Sequence, residues 1–302
     1  MGDAVGSLRE FDPFPPQGAS ARERALRYLV LDVFTQTPLQ GNPVAVFTDA
    51  AELQGARMQE IARELNLSES VFLSSPRLEG DVGARIFTPT TELPFAGHPV
   101  LGSAVVVAGA LGRESVTLET GGGPVTVEIG AAQGRATFGR MQQPLPTWEP
   151  FEAAGELLRA LSLTGSSLPV EVYRNGPRQV YVALESEQEV AALRPDLAAL
   201  CSLGALCVSC FAAEGARVRS RMFAPGLGVP EDPATGSAAG PLAVHLARHG
   251  RIAFGQEIEI SQGAEIGRPS QLFARALGSG ERLERVEVGG WSVIVGVGEL
   301  RA

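Results

Sequence analysis

Glu69, His98 and Asp232 are the residues whose type and setting could move a proton. Glu69 stands between Ser68 and Ser70 at the entry to the apolar run Val71-Phe72-Leu73. A carboxylate there is expected to be partly desolvated, which raises its proton affinity and suits it to transfer near neutral pH; the plainer reading is a surface residue at a strand end. His98 and Asp232 occupy equivalent places in two matching segments. His98-Pro-Val-Leu-Gly-Ser-Ala104 aligns without gaps on Asp232-Pro-Ala-Thr-Gly-Ser-Ala238, and upstream Arg85-Ile-Phe-Thr-Pro matches Arg221-Met-Phe-Ala-Pro. Each segment reads as a strand end that turns through Pro and opens a helix at Gly-Ser, at Gly102-Ser103 and at Gly236-Ser237. A helix start presents unpaired N–H groups and partial positive charge, which suit an anion. Two such starts facing each other across a cleft would hold a small carboxylate, with glycines allowing close approach. The alternative is that Ser103, Thr235 and Ser237 are simple caps.

Other chemistry-bearing residues are less promising. His245 and His249 lie four apart on an expected helix and are a possible metal pair. They lack the Glu of an HExxH motif and any obvious third ligand, so a packing or solvent-facing role is expected. Cys201, Cys207 and Cys210 fall in one apolar stretch, CSLGALCVSCFAA, with no second cluster to complete a zinc site. They read as small core or near-core thiols, consistent with a reducing compartment.

The elements that must position these groups alternate between two periodicities. Tyr28 to Phe34 and Val44 to Phe47 read as strands separated by Gly41-Asn42-Pro43. Met58, Ile61, Ala62 and Leu65 recur at helical spacing, with Asn66 as a helix end. Short strands follow at Ser70–Ser74 and Ala84–Thr88. Pro99 to Leu111 is apolar on nearly every side and predicts a helix buried all round. Strands near Thr117, Val125–Ile129 and Ala136–Arg140 complete a first half. Met141 to Pro150, with three prolines and no periodicity, marks the boundary. The same order then returns, with strands near 170–173, 180–184, 205–211 and 217–223 and a helix from about Ala234 to Arg248. Two related halves are inferred, each a strand-rich unit with a central buried helix.

Composition narrows the function. The chain has 302 residues and a formal net charge of −9. All 25 basic residues are Arg, which excludes a Lys Schiff base and a phosphate-loop lysine. An acidic chain without a basic block is a poor partner for nucleic acid or anionic membranes. The longest apolar run is too short for the roughly 20 residues of a membrane span. Residues 1–25 carry acidic groups and Asp12-Pro13-Phe14-Pro15-Pro16 but no signal-like apolar core. They are expected to form a flexible extension, ahead of an N-terminal lobe of 26–143 and a C-terminal lobe of 144–302 whose last strand packs back on the first lobe. A cytoplasmic location is expected.

Gly41-Asn-Pro-Val-Ala-Val-Phe47, Leu65-Asn-Leu-Ser-Glu-Ser70, Phe87-Thr-Pro, Glu92-Leu-Pro-Phe-Ala-Gly-His-Pro99, Glu231-Asp-Pro-Ala-Thr-Gly-Ser-Ala-Ala-Gly240 and Gln262-Gly with Ile266-Gly-Arg-Pro-Ser270 together resemble the PhzF family of isomerases, over roughly residues 27 to 300. Pro144-Leu-Pro-Thr-Trp148, Asn175-Gly-Pro-Arg178 and Pro241 to Gly250 extend the likeness toward its phenazine-forming members. The resemblance implies an α+β fold like that of diaminopimelate epimerase, with two pseudo-symmetric lobes, each a mostly antiparallel sheet wrapped around a central helix, and an active site between them. It implies a homodimer and a reaction needing no cofactor and no metal: trans-2,3-dihydro-3-hydroxyanthranilate becomes an amino-ketone. It maps the catalytic acid–base onto Glu69, and substrate contacts onto His98, Asp232, Ser237, Gly97 and Gly236. Val100 stands where many relatives have Thr, and Ala239 where some have His.

Three other functions compete. A racemase on this kind of fold would carry a Cys at each helix start, and these loops have none. A non-catalytic small-acid-binding protein would have no need of Glu69, His98 and Asp232 together. An isomerase of the same family acting on another small cyclic or amino acid is the nearest rival.

Overall fold

β-branched and aromatic residues in short runs, cut by Gly, Pro and Asn, dictate a strand-rich chain. The computed structural model describes residues 25–280 and 282–301. The expected N-terminal extension lies outside them, save for Ala25. The described chain divides into two units: Gln142–Val288, and the residues before Gln142 together with those from Gly289 onward. The residues from Gly289 onward thus group with the first unit.

In the first unit, β1 (Ala25–Val33) pairs antiparallel with β2 (Asn42–Phe47). The turn before β2 needs Gly41, whose φ is +67° and whose absent Cβ would lie 2.3 Å from the Val33 carbonyl. Helix α1 (Gly55–Leu65) carries the chain over to β3 (Glu69–Ser74), parallel to β2. It ends where Asn66 adopts the left-handed conformation. Its Met58, Ile61 and Ala62 pack with Phe47, Phe72 and Phe87 in one apolar cluster. β4 (Val82–Phe87) is antiparallel to β3 and holds the short β5 (Glu92–Leu93). After α2 (Gly97–Leu111), β6 (Ser115–Thr120) lies parallel to β4. β7 (Gly123–Gln133) and β8 (Ala136–Gln143) follow as antiparallel neighbours. The last strand, β17 (Arg282–Arg301), pairs with β8, and its C-terminal part pairs with β1. That closes the circuit of pairings around α2.

α2 is buried at every position from Gly97 to Ala108. Burying each Val or Leu of such a helix contributes about 1.5–3 kcal/mol, which explains a segment apolar all round.

The second unit repeats this order. β9 (Thr147–Pro150) flanks β10 (Glu171–Arg174), with the short helix α3 (Ala154–Ala160) between them in sequence. β10 is antiparallel to β11 (Arg178–Ala183), and β11 is parallel to β12 (Cys207–Glu214). The crossover uses two short helices, α4 (Glu187–Ala192) and α5 (Leu197–Ser202), each capped by its preceding Ser186 or Asp196 side chain. β13 (Arg217–Ala224) is antiparallel to β12 and holds the short β14 (Val229–Asp232). After α6 (Gly236–Arg248), β15 (Glu257–Gln262) lies parallel to β13, and β16 (Ser270–Ser279) is antiparallel to β15. The chain finishes with β17 (Arg282–Arg301). Strand for strand, β10 to β16 reproduce the pairings of β1 to β7. The α+β class and the pseudo-symmetric halves expected from the repeated segments are therefore present.

Two local expectations are corrected. Gly102-Ser103 does not open a helix. The extended Ala96 caps α2, which starts at Gly97, so Gly102 and Ser103 lie in its second turn and are buried. Pro99 needs no acceptor in a first turn, so the helix forms ahead of it rather than after it. Gly102 is there for packing: a Cβ would come within 3.0 Å of both Val33 and Val44 side chains. The proline-rich boundary segment also contains a strand, β9, because its Thr147 to Pro150 can pair along β10. Among the thiols, Cys207 and Cys210 are buried and Cys201 is exposed.

Candidate active site

In the first unit, Glu69 opens β3 opposite Val44 of β2. The neck of the strand is pinned by Ser68, whose hydroxyl donates to Asn42 Oδ1 at 2.8 Å, and Asn42 is fully buried. The Glu69 side chain is 16% exposed, and its Oε2 lies 3.3 Å from Nε2 of His98. It is a largely enclosed carboxylate rather than a surface one. His98 is the second residue of α2 and is 6% exposed through its side chain. Burial pushes the imidazole down to about 3, against a smaller opposing effect of its hydrogen bond to the Pro43 carbonyl. The ring is therefore neutral across ordinary pH. A carbonyl can only accept, and Nε2 is not the bonded nitrogen, so Nδ1 carries the hydrogen and Nε2 presents its lone pair toward Glu69. Gly97 precedes His98 at the helix start.

In the second unit, Asp232 ends β14 and is buried. Thr235 Oγ1 donates to its Oδ2 at 2.6 Å. Gln262 Nε2 donates to the Asp232 carbonyl at 2.8 Å and to Thr235 Oγ1 at 3.0 Å. Neighbouring Gly263, at φ +81°, leaves room where a Cβ would meet the Arg268 and Pro233 carbonyls at 2.4 and 2.5 Å. Gly236 and Ser237 open α6. The caps envisaged from sequence are absent: neither Ala96 nor Thr235 makes a side-chain cap bond. By place in the fold, His98 corresponds to Ser237, since each is the second residue of its central helix. The pairing of His98 with Asp232 read from the aligned segments is thus displaced by the true start of α2.

Pro241 lies inside α6 and cannot donate to the Ser237 carbonyl. Asn175 Nδ2 donates there instead, at 3.0 Å. Gln143 Nε2 donates to the Gly236 carbonyl at 2.8 Å, and Tyr181 to the Ala238 carbonyl at 2.7 Å. These residues were not singled out as functional from sequence. Gln179 and Tyr181 did leave a signal, being alternate residues that bear polar atoms in β11, which is otherwise apolar after its opening Arg178.

His245 and His249 meet Glu171, a third partner that sequence spacing did not reveal. Glu171 Oε2 accepts from Tyr173, Arg248 and His249 at 2.9, 2.8 and 3.1 Å and lies 3.2 Å from His245 Nδ1. Burial alone would raise this carboxyl. The hydrogen bonds of His245, His249 and Tyr173 and the charge of Arg248 together hold it well below the usual range. Arg248 also stacks on Trp148, 4.2 Å from the ring centroid. A carboxylate oxygen already engaged by a guanidinium is a structural knot tying β10 to α6. His245 is fully buried, which agrees with a packing role.

Cys207 and Cys210 belong to β12 and Cys201 to α5, away in sequence and element from either helix start. Burial raises the Cys210 thiol to about 12. The paired-Cys arrangement of a racemase is therefore not built here. Val100 and Ala239, the two departures from the family pattern, are both buried within their helices.

No described helix is long and apolar enough to cross a membrane. The family model for PhzC-PhzF, phenazine biosynthesis-like protein, matches residues 31–298. The chain is 56% identical over 264 residues to trans-2,3-dihydro-3-hydroxyanthranilate isomerase of Pseudomonas aeruginosa, covering 87% of this chain and 95% of that one. It is 52% identical over 273 residues to the enzyme of the same name from Pseudomonas fluorescens, covering 90% and 98%. A solved structure described as a predicted epimerase from Pseudomonas aeruginosa superposes with a TM-score of 0.79 at 34% identity, over 92% of this chain and 99% of that one. On the extent of the family match and these identities, the chain belongs to the PhzC-PhzF family of phenazine biosynthesis-like proteins.

Proposed function

We propose that this chain isomerises trans-2,3-dihydro-3-hydroxyanthranilate to its amino-ketone tautomer, a step of phenazine biosynthesis. The observation that carries the reading is the enclosed Glu69 carboxylate 3.3 Å from a neutral imidazole. Relatives at 52–56% identity that bear this activity as their name support the substrate.

Glu69 as carboxylate takes the C3 proton of the dihydro ring. The electron pair of that C–H bond shifts into the ring and moves its double bond. Glu69, now an acid, returns the proton to a remote ring carbon; C3, which bears the hydroxyl, is then part of an enol, and the enol becomes the ketone as its hydroxyl proton moves to the adjacent ring carbon. Atoms and electrons balance with no oxidant, so the step itself calls for no redox cofactor. His98 Nε2 can accept a hydrogen bond only from the protonated carboxyl, so it steadies Glu69 between the two transfers. Asp232 orients the substrate amine or hydroxyl. Ser237 and the N–H groups at the start of α6 hold the substrate carboxylate, with Gly97 and Gly236 beside it. A cytoplasmic homodimer belongs to the same reading.

The test is to incubate purified protein with the dihydro-hydroxyanthranilate and follow its ultraviolet spectrum. Loss of the substrate band with formation of the ketone supports the reading. An unchanged spectrum, with saturable binding of the acid, would replace it with a carboxylate-binding protein.

A further inference from the structure

We propose that Gln179 is a positioning residue that fixes the Ser237 hydroxyl as a donor to the substrate carboxylate, an inference that rests on the carboxylate role given to Ser237 above. Gln179 is fully buried and Ser237 nearly so. Gln179 Nε2 donates to Ser237 Oγ at 3.2 Å. A hydroxyl has one hydrogen and two lone pairs. Once a lone pair is taken by the amide, the hydroxyl hydrogen is left to be given to an acceptor, and a carboxylate only accepts.

The backbone beneath Ser237 is held just as closely. Gln143, Asn175 and Tyr181 bind the carbonyls of Gly236, Ser237 and Ala238. Gly240 lets Gln143 approach, since a Cβ there would lie 2.3 Å from Gln143 Oε1. With the first turn of α6 clamped, the side-chain torsion of Ser237 is the freedom that remains, and Gln179 is the group that restricts it.

The repeat gives independent support. Gln179 is the second residue of β11, and Pro43 is the second residue of β2. Pro43 receives the His98 hydrogen bond that selects which ring nitrogen presents a lone pair. In both halves, then, the second residue of the second strand sets the donor–acceptor sense of the second residue of the central helix. In the first half this makes an acceptor beside Glu69; in the second it makes a donor for an anion.

The test is a double-mutant cycle on the full chain, using Gln179→Met, Ser237→Ala and the double variant. Thermal melting checks that each is folded. Gln179→Asn, which keeps an amide but withdraws it by one methylene, gives a second reading if Met disturbs the interior. Losing one hydrogen bond to a charged group is expected to raise KM about 10-fold, with kcat changed less than about 3-fold. Ser237→Ala should raise KM similarly, and the double variant should add little to either single change. Inhibition by anthranilate against anthranilamide gives a readout that a purely structural role does not move: Gln179→Met should narrow the preference for the acid about as much as Ser237→Ala does. A Gln179→Met effect that is absent, or that multiplies fully on top of Ser237→Ala, overturns the positioning role while leaving Ser237 its function. An unchanged KM in Ser237→Ala overturns the carboxylate role of Ser237 and this inference with it.

Discussion

Glu69 and His98 meet because each begins an element: one opens β3, the other sits one residue into α2. Glu69→Gln keeps the shape of the side chain but cannot carry a proton. It is expected to fold like the parent and to lose about 10²–10⁴-fold in kcat, measured by the spectral assay; parental turnover would remove Glu69 from the mechanism. His98 also makes a prediction about acid stability. Its folded value, about 3, lies below the unfolded imidazole's roughly 6.5. Between those values the unfolded chain binds a proton that the folded chain refuses, so stability falls as pH drops from about 6.5 toward about 3. One such group costs up to about 1.4 kcal/mol per pH unit. Buried His245 acts in the same direction. Denaturant melts of His98→Gln against the parent should show the slope across pH 6 to 4 reduced by up to that amount, and parallel curves would contradict it.

At the scale of elements, the start of α6 depends on groups that lie far from it in sequence. Pro241 removes the helical donor for the Ser237 carbonyl, and Asn175 replaces it. Asn175→Ala should strand that buried carbonyl and lower stability by about 1–3 kcal/mol, read by urea melts. The loop that presents Asp232 depends on Gly263 in the same way. Gly263→Ala adds a methyl against two carbonyls at a positive φ. A loss of about 1–3 kcal/mol is expected, with activity falling further than stability because the displaced Pro233 follows Asp232. Near-parental stability and kcat/KM in that variant would show that the loop can yield without disturbing Asp232.

At the scale of the whole molecule, the described chain is two copies of one plan, β10 to β16 repeating β1 to β7 in pairing order. The first copy is completed by the end of the chain, since β1 pairs with β17 from Ala25↔Arg301 to Val33↔Ser292. Val293 and Ser292 are buried there. Truncation after Val288 would leave β1 and β8 without this neighbour, as open strand edges in the sheet that packs on α2. Such a chain is expected to lose cooperative unfolding of its first half, seen as missing protection in amide hydrogen exchange over β1, β2 and α2; retained protection there would mean that the closing strand is dispensable.

The local and the repeated were legible along the chain: strand and helix periods, the all-round apolarity of α2, the left-handed end at Asn66, the duplication, and Glu69, His98, Asp232 and Ser237 as candidates. These are legible because periodicity and turn chemistry act over a few residues, and because a repeat shows twice. The folded backbone set where the first central helix starts, at Gly97 rather than Gly102, because Pro99 fits a first turn and the cap is set by backbone geometry; the second opens at Gly236 as read. It alone brought Glu171 to His245 and His249, and Gln143, Asn175, Gln179 and Gln262 to the loop and helix start that carry Asp232 and Ser237. Such contacts join residues far apart in sequence. Which buried polar atom finds which partner depends on strand register, and no local pattern encodes that.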